Sequence, residues 1–259
     1  MALAYVLWIV ALFALLVGGL ETSTRTQVEL TRNLAAQAQA DALADGAINL
    51  LVAEISSRSA DEVRVGARAL ALPTGQANVT VTDLAGRVDV NTASPELIAR
   101  TLQAAGAEAD LSAAIAARIV ARRGGPEGAQ RPILILDELM RIPGVTSALY
   151  ARLEGMMTTK GGHRVVDAAV ASPQVVLALA GLNADAARAY LAERAQGGRF
   201  TRLAAPESGP VVGAGFELRA EAVGPGGARA VRTAVVKLAR ADRRDEGLRV
   251  VDWQLERAD

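Results

Sequence analysis

The sequence predicts an α+β fold, in which a long N-terminal helix packs on an antiparallel sheet and a large all-α domain interrupts the sheet-forming segments. Three observations lead to this prediction. An apolar run at the N-terminus continues into an amphipathic helical pattern. Alternating apolar residues, which are typical of strands, occur on both sides of the middle of the chain. The middle itself carries repeated signals for the start of a helix.

The composition limits the classes of function. The chain of 259 residues has 28 basic and 28 acidic side chains and a formal net charge of zero. No overall electrostatic field therefore draws it onto nucleic acid or onto an anionic membrane surface. The chain contains no cysteine, which excludes disulfides, thiolate metal ligands and a cysteine nucleophile.

The N-terminal stretch MALAYVLWIVALFALLVGGL contains no charged residue. A helix of this length would cross a hydrocarbon core of roughly 30 Å, so we predict a transmembrane segment over residues 1–20. A cleaved signal peptide is the alternative, but such peptides begin with basic residues, and here neither Lys nor Arg precedes Arg25. The missing basic flank suggests that a leader precedes Met1 in the precursor.

Residues 21–57 extend the apolar run into an amphipathic helix. They contain no proline, and their one glycine is Gly46. A single helix of about 55 residues would be about 80 Å long, half of it in lipid and half packed on a domain. An ordinary membrane anchor with a helical stalk is the simpler interpretation of the same pattern.

Strand candidates flank the middle of the chain. Val79 and Val81 alternate with polar residues, the sequence DLAG follows, and the alternation resumes at Val88. This pattern predicts a β-hairpin with Gly86 at positive φ. Three further strands and one weaker candidate are predicted, at about 214–223, 228–239 and 248–256, and at 62–72.

The segment 91–203 is predicted to be helical and contains a degenerate repeat. The phrase VDVNTASP, which starts at Val88, returns as VDAAVASP at Val166. In each copy a serine that can accept a backbone N–H precedes a proline, which loses no hydrogen bond at the first helical position. Residues 58–90 and 204–259 are expected to form an α/β domain around this insertion. The two helix starts are Ser94 with Pro95 and Ser172 with Pro173.

A Pro-Gly turn between the two copies suggests an alternative function. The stretch RIPGVTSALYARL resembles a helix-hairpin-helix, whose turn amides can bind a phosphate. Thr146 and Ser147 follow Val145 where the second glycine of that motif is expected. A membrane-tethered DNA receptor of the competence type is the alternative that this likeness offers. The balanced charge favours a helix pair that uses the turn for packing alone, and we predict no nucleic-acid partner.

Residues with catalytic or metal-binding chemistry are sparse. His163, the one histidine, lies in a polar glycine-rich stretch without a Ser or Asp arrangement nearby, so we expect a solvated loop histidine. We predict no cofactor and no enzyme activity. A membrane-anchored enzyme is the alternative, but the sequence shows no set of catalytic residues for it. The possibility that residues distant in sequence bind calcium stays open. The acidic groups without calcium-loop spacing are Asp137 with Glu138, and Asp242 with Asp245 and Glu246.

Five features in this order resemble the K-type minor pseudopilin family of type II secretion systems, the GspK-like family. They are the apolar N-terminal helix, the phrase DLAGRVDVNTAS, the stretch DELMRIPGVTSALYARL, the second phrase ASPQVVLALAGL and the closing strands through VVDWQLE. The resemblance implies a pilin-like α/β domain with a large helical insertion carrying helix-hairpin-helix-like repeats. It also implies a place at the tip of a periplasmic pseudopilus, where the protein would help to start pseudopilus assembly and support export across the outer membrane.

The same resemblance implies partners and a location. The partners would be the I-type and J-type minor pseudopilins, the prepilin peptidase and the secretion platform of the inner membrane. The protein would cross the bacterial inner membrane once, with its C-terminal domain in the periplasm.

The resemblance also assigns roles to residues of the N-terminal helix. Met1 would be the first residue after processing, and Tyr5 then stands where most pilin-like subunits carry a glutamate. That glutamate is thought to neutralise a neighbour's N-terminal amine in an apolar filament core, where a lone charge is costly. A subunit without this glutamate resembles one that caps the end of the filament. The residues expected to pack on lipid and then on partner helices are Val6, Leu7, Val10, Phe13 and Leu16.

Overall fold

The chain folds into a long helix, a five-stranded sheet and a largely helical unit between the second and fifth strands. The helices are α1 (Ala2–Ser56), α2 (Pro95–Ala104), α3 (Ala109–Arg122), α4 (Ser147–Leu153), α5 (Pro173–Leu179) and α6 (Ala184–Ala195). The strands are β1 (Gly66–Leu72), β2 (Gly75–Asp83), β3 (Val88–Asp89), β4 (Met157–Thr158), β5 (Gly215–Val223), β6 (Arg229–Leu238) and β7 (Leu248–Glu256). Short 3₁₀ segments are Leu84–Gly86, Leu136–Arg141 and Pro225–Gly227.

This computed structural model describes residues 2–57, 63–73, 75–125, 131–197, 203–211, 215–238 and 248–256. Within these ranges, the side chains of residues 2–4, 14–26, 238, 248–251 and 254–256 lie outside the description.

The predicted single N-terminal helix is confirmed, because α1 spans 55 residues without interruption. Its C-terminal half packs on the sheet through residues spaced three and four apart, the spacing of one helix face. Three of the seven buried residues on this face are alanines, whose small side chains let the helix come close to the strands. The buried residues are Ala40, Leu43, Ala44, Ala47, Ile48, Leu51 and Ile55.

The sheet has the strand order β1-β2-β5-β6-β7, and every neighbouring pair is antiparallel. Alternate residues of the inner strands face α1 and bury the core, as the period of two in a strand requires. The long helix on an antiparallel sheet, which the sequence predicts, is therefore confirmed. The core residues of the sheet include Ala77, Val79, Val81, Phe216, Leu218, Ala220, Ala234 and Val236.

An arginine of the sheet binds two carboxylates of α1. Arg232, which is only 7% exposed, donates from Nε to Asp45 Oδ1 at 2.7 Å. Its Nη2 lies 3.1 Å from Asp41 Oδ1. The two carboxylates lie one helical turn apart, so a single guanidinium reaches both. This contact fixes the rotation of α1 about its axis relative to β6.

A glycine allows α1 to touch the turn between β5 and β6. A Cβ placed on Gly224 would lie 2.8 Å from the carbonyl oxygen of Ala36 and 3.1 Å from Cβ of Ala40. The substitution Gly224→Ala should therefore lower the free energy of unfolding by about 1–3 kcal/mol, because backbone atoms must move apart. Denaturant titration followed by circular dichroism measures this loss. Gly209→Ala is the matched control, since its Cβ meets nothing within 4 Å; equal losses would contradict the packing argument.

The predicted hairpin around Gly86 is wrong. β2 pairs with β1 and β5, whereas Val88 belongs to β3, which pairs in parallel with β4. The reason is local: Asp83 accepts a hydrogen bond from Ala85 N at 2.8 Å and starts a 3₁₀ turn, which directs the chain out of the sheet. The predicted positive φ at Gly86 is also wrong, because Gly86 is absent from the glycines with positive φ.

The unit from β3 to α6, residues 88–195, is called the helical unit below. It is not purely helical, because the β3–β4 pair lies within it, and the first helix of the predicted helix-hairpin-helix-like pair is a 3₁₀ segment. Helices α2 and α3 pack together, and α2 also packs on α5 from the second copy of the repeat. The hydrophobic core of this unit and the core between α1 and the sheet have no residue in common.

Candidate functional site

The N-terminal apolar segment, residues 5–13 of α1, is exposed along its whole length. Tyr5 is 71% exposed and Val10 is 59% exposed, although both belong to a regular helix. A continuous apolar surface of this kind marks a site of contact with protein or membrane. Of the residues predicted to make this contact, Val6, Leu7, Val10 and Phe13 lie in the segment.

The other predicted residues of the N-terminus lie outside the description. Met1 is outside the described residues, and Leu16 is among the helical residues whose side chains are not described. Over the described part of the chain, no helix combines the length and the apolar character needed to cross a membrane. The roles assigned to Met1, Tyr5 and the apolar positions stay predictions.

The first copy of the repeated phrase uses its polar residues to connect distant segments. Asp89, which is buried, accepts hydrogen bonds from Asn91 N at 2.7 Å and from Gly162 N at 2.5 Å. Asn91 exchanges two hydrogen bonds with the backbone of Ile133, at 2.9 Å and 2.8 Å. Thr92 donates to the carbonyl oxygen of His163. These side chains hold the segment at Ile133 and the loop after β4 against β3 and the residues that follow it.

The two predicted helix starts are confirmed. Ser94 accepts a hydrogen bond from Leu97 N at 3.1 Å, and Ser172 accepts one from Val175 N at 3.4 Å. A proline follows each serine at the start of the helix. Both copies of the phrase therefore cap a helix.

An arginine at the end of α3 forms hydrogen bonds with the backbone of the first copy of the repeated phrase. Arg123 is fully buried, with no exposed surface, and donates from Nη1 to Val90 O and from Nη2 to Ala93 O, both at 2.8 Å. Burial lowers the pKa of this guanidinium, while the charge of Asp89 acts in the opposite direction. The cation thus satisfies two carbonyl oxygens of the strand-to-helix connection inside the core.

An arginine also donates to two carbonyl oxygens of the second copy of the phrase. Arg194, near the end of α6, donates from Nη1 to Ala168 O and to Ala171 O, both at 2.8 Å. These carbonyls occupy the positions of the phrase that Val90 and Ala93 occupy in the first copy. The repeat is thus structural as well as sequential, although its second copy lacks the polar side chains that connect Asn91 and Thr92 to other segments.

The Pro-Gly turn packs on α3. Gly144 has φ of 99°, and a Cβ at this position would lie 2.9 Å from Leu111 Cδ1. The carbonyl oxygen of Pro143 accepts a hydrogen bond from Arg118 at 2.8 Å, and Thr146 caps α4. Contacts within the chain account for these features of the turn, which favours packing over DNA binding.

The prediction of a solvated loop histidine is wrong. His163 is partly buried, and its Nδ1 lies 2.8 Å from Val165 O while its Nε2 lies 3.0 Å from Leu84 O. The ring lies against the 3₁₀ turn because the glycines at 161 and 162 let the loop fold back onto it. A Cβ on Gly161 would lie 2.6 Å from His163 Nε2. His163 therefore joins the helical unit to the end of β2.

The acidic pair at 137–138 has partners within the protein. Asp137 accepts a hydrogen bond from Tyr150 Oη at 2.5 Å, and burial raises the pKa of that phenol. Glu138 accepts one from Leu134 N at 2.9 Å and lies 2.6 Å from Arg122, and the backbone hydrogen bond lowers the pKa of Glu138. Neither carboxylate requires a metal to explain its position.

A metal site does not emerge from the part of the chain that the structure describes. In those residues no group of three or more histidine and acidic side chains could hold a metal ion. The acidic residues Asp242, Asp245 and Glu246 lie outside the described residues.

A polar cleft of about 690 Å³ separates the helical unit from the face of the sheet opposite α1. Two ion pairs cross it. Arg87 makes a bidentate contact with Glu217 on β5, at 2.9 Å for both bonds. Lys160 Nζ lies 3.1 Å from Asp252 Oδ2 on β7. The sequence does not predict either pair, because the partners lie far apart along the chain.

Together, the long helix with the exposed apolar segment 5–13, the sheet packed on its C-terminal half and the helical unit define a pilin-like α/β fold. A search of solved structures finds the same fold in GspK, in the crystal structure of the GspK-GspI-GspJ complex from the type 2 secretion system of enterotoxigenic Escherichia coli. The TM-score is 0.57, the sequences are 15% identical, and the match covers 91% of this chain and 99% of that one.

This match confirms the resemblance to the K-type family at the level of the fold. No protein-family model matches the sequence. No curated protein matches it either. The likeness therefore extends over nearly the whole architecture while few residues are shared.

Proposed function

We propose that this protein is a minor pseudopilin of a type II secretion system, located at the tip of the pseudopilus. The observation that carries the proposal is the exposed apolar segment 5–13 on a helix whose other half is packed on a sheet, in a chain with the GspK fold. The similar protein was crystallised in a complex with GspI and GspJ. By analogy, the partners of this chain are I-type and J-type minor pseudopilins.

The physical basis of assembly is the similarity of two apolar environments. Residues 5–13 contact lipid tails before the subunit leaves the membrane and contact neighbouring helices afterwards. Because lipid and a bundle of apolar helices solvate these side chains almost equally, transfer from one to the other does not require a large hydrophobic driving force. Close packing between helices then decides which subunits associate.

Tyr5 supports a terminal position in this proposal. A glutamate at this place would need a neighbour's amine to offset the cost of a charge in an apolar core. The phenol of Tyr5 is neutral and needs no such neighbour. A subunit with tyrosine here can end the filament, since no further subunit has to supply an amine.

The remaining parts of the proposal concern processing and location. A prepilin peptidase would process the protein, and the inner-membrane secretion platform would extract the subunit during growth of the pseudopilus. The protein would cross the inner membrane once, through residues 1–20, with its C-terminal part in the periplasm. In that place it would help to start pseudopilus assembly and support export across the outer membrane. The role is structural rather than catalytic.

The test is co-purification of the full chain with I-type and J-type partners after co-expression in membranes. Val10→Arg, or Leu16→Arg, should abolish recovery of the partners, because an arginine at the centre of an apolar helix costs about 2.5–3.5 kcal/mol in lipid. Asn33→Arg is the control, since this residue is exposed on α1 outside the apolar segment. Recovery of partners with Val10→Arg at the level of the control would refute the proposal.

A further inference from the structure

The cleft between the helical unit and the sheet has a fixed end at the 3₁₀ turn Leu84–Gly86. Asp167 N donates to Ala85 O at 2.8 Å, and His163 Nε2 lies 3.0 Å from Leu84 O. Gly86 approaches the carbonyl of Val170 so closely that a Cβ would lie 2.6 Å from its oxygen. These contacts join the helical unit to the end of β2 at one place.

The two ion pairs lie at different positions relative to this fixed end. Arg87 follows the 3₁₀ turn directly in sequence, so its pair with Glu217 adds to the same attachment. Lys160 lies beyond β4, and its partner Asp252 is on β7, the edge strand of the sheet. The Lys160–Asp252 pair therefore closes the cleft on the side of the edge strand.

The lining of the cleft is mixed. Val235 on β6 is buried there, beside charged and polar residues from both sides. Lys237 on β6 also contacts the helical unit, with its Nζ 3.5 Å from Gly161 O. Electrostatic contacts therefore contribute to the position of the helical unit over β6 and β7.

We propose that Lys160 and Asp252 form a salt-sensitive latch, which holds the helical unit against the sheet while the 3₁₀ turn serves as the pivot. The side chains of the pair are 26% and 22% exposed, so water and salt reach them. Partly exposed pairs of this kind contribute modestly to stability, and their attraction weakens as the salt concentration rises. Opening the latch widens the cleft and leaves both cores folded. This inference does not depend on the proposed function.

The absence of cysteine permits a direct test with the full chain. Asn49→Cys on α1 and Ala121→Cys on α3 place one spin label on each side of the cleft, since both residues are exposed. Electron–electron double resonance then measures the distribution of distances between the labels. At low salt the latched protein should give one narrow distribution.

Charge reversal separates the latch from other effects. Lys160→Glu places two carboxylates opposite each other, and a second, shifted distance should appear. The swap Lys160→Glu with Asp252→Lys should restore the narrow distribution. Arg188→Glu is the control, because the exposed Arg188–Asp185 pair lies within α6 and does not cross the cleft.

The outcomes are distinct. A shifted distance with Lys160→Glu that the swap reverses supports the latch, as does the same shift at high salt. An unchanged distribution in the reversed variant, or a shift that the swap fails to reverse, overturns it. If circular dichroism shows that Lys160→Glu does not fold, Lys160→Gln replaces it in the same measurement: a second distance at low salt then supports the latch, and an unchanged distribution overturns it. Because no partner chain is needed, failure here leaves the proposed secretion role untouched.

Discussion

The substitution Arg123→Met is expected to lower the free energy of unfolding by about 3–5 kcal/mol, the range found when one partner of a buried charged contact is removed. Methionine retains much of the length and apolar volume of the side chain. It leaves the carbonyl oxygens of Val90 and Ala93 without their donors, and each buried unsatisfied group costs about 1–3 kcal/mol. The buried carboxylate of Asp89 also loses a nearby positive charge.

The measurement is denaturant unfolding of the full chain, followed by circular dichroism. Arg194→Met is the matched comparison, because Arg194 makes the equivalent contacts in the second copy but is only partly buried. The loss of stability should be smaller, since the hydrogen bonds of Arg194 are only partly buried whereas those of Arg123 are buried. If Arg194→Met destabilised the protein as much as Arg123→Met, burial would not be the cause of the effect.

Local signals in the sequence predict much of the fold. The serine and proline at 94–95 and at 172–173 start helices because a cap and a fixed φ act within a few residues. The strands β5, β6 and β7 follow from their alternation and from the turns between them, and they lie within one or two residues of the predicted ranges. The long helix follows from the absence of proline over more than 50 positions.

Pairings between distant segments could not be predicted in this way. The partner of β2 on its inner side is β5, more than 130 residues later, so alternation around Gly86 favours a local hairpin that does not form. The contact of Arg232 with Asp41 and Asp45 also joins segments that lie far apart in the sequence, so it could not be predicted either. Nothing near either end of such a contact in the sequence indicates the other end.

The two arginines of the repeat are only partly indicated by the sequence. Each stands near the end of the second helix of its copy, shortly before a glycine: Arg123 before Gly124, and Arg194 before Gly197. Alignment of the two copies from their serines does not superpose the arginines, because Arg123 lies 29 residues after Ser94 whereas Arg194 lies 22 residues after Ser172. The apolar segment 5–13 was predictable from composition alone, and its role in contact with lipid and partners stays a prediction.

The second large effect is expected at Gly86, where two explanations for the glycine give opposite results. The sequence pattern suggests a residue at positive φ, whereas the structure places backbone atoms against the α-carbon. A Cβ would lie 2.6 Å from Val170 O, 2.7 Å from Val170 C and 2.8 Å from Ala171 N. These are main-chain atoms at the start of the second copy of the repeat, and they cannot rotate away as a side chain could.

Gly86→Ala should therefore lower the free energy of unfolding by about 1–3 kcal/mol or more, as overpacking in a tight contact does. Gly155→Ala is the control, because its Cβ meets nothing within 4 Å. Gly86→Asn separates the two explanations in the same denaturant titration. Asparagine tolerates positive φ better than alanine, so a requirement for positive φ would make Gly86→Asn the milder variant. Close approach predicts the reverse order, because the larger side chain meets the same carbonyl of Val170 and also strains the hydrogen bond from Asp167 N to Ala85 O.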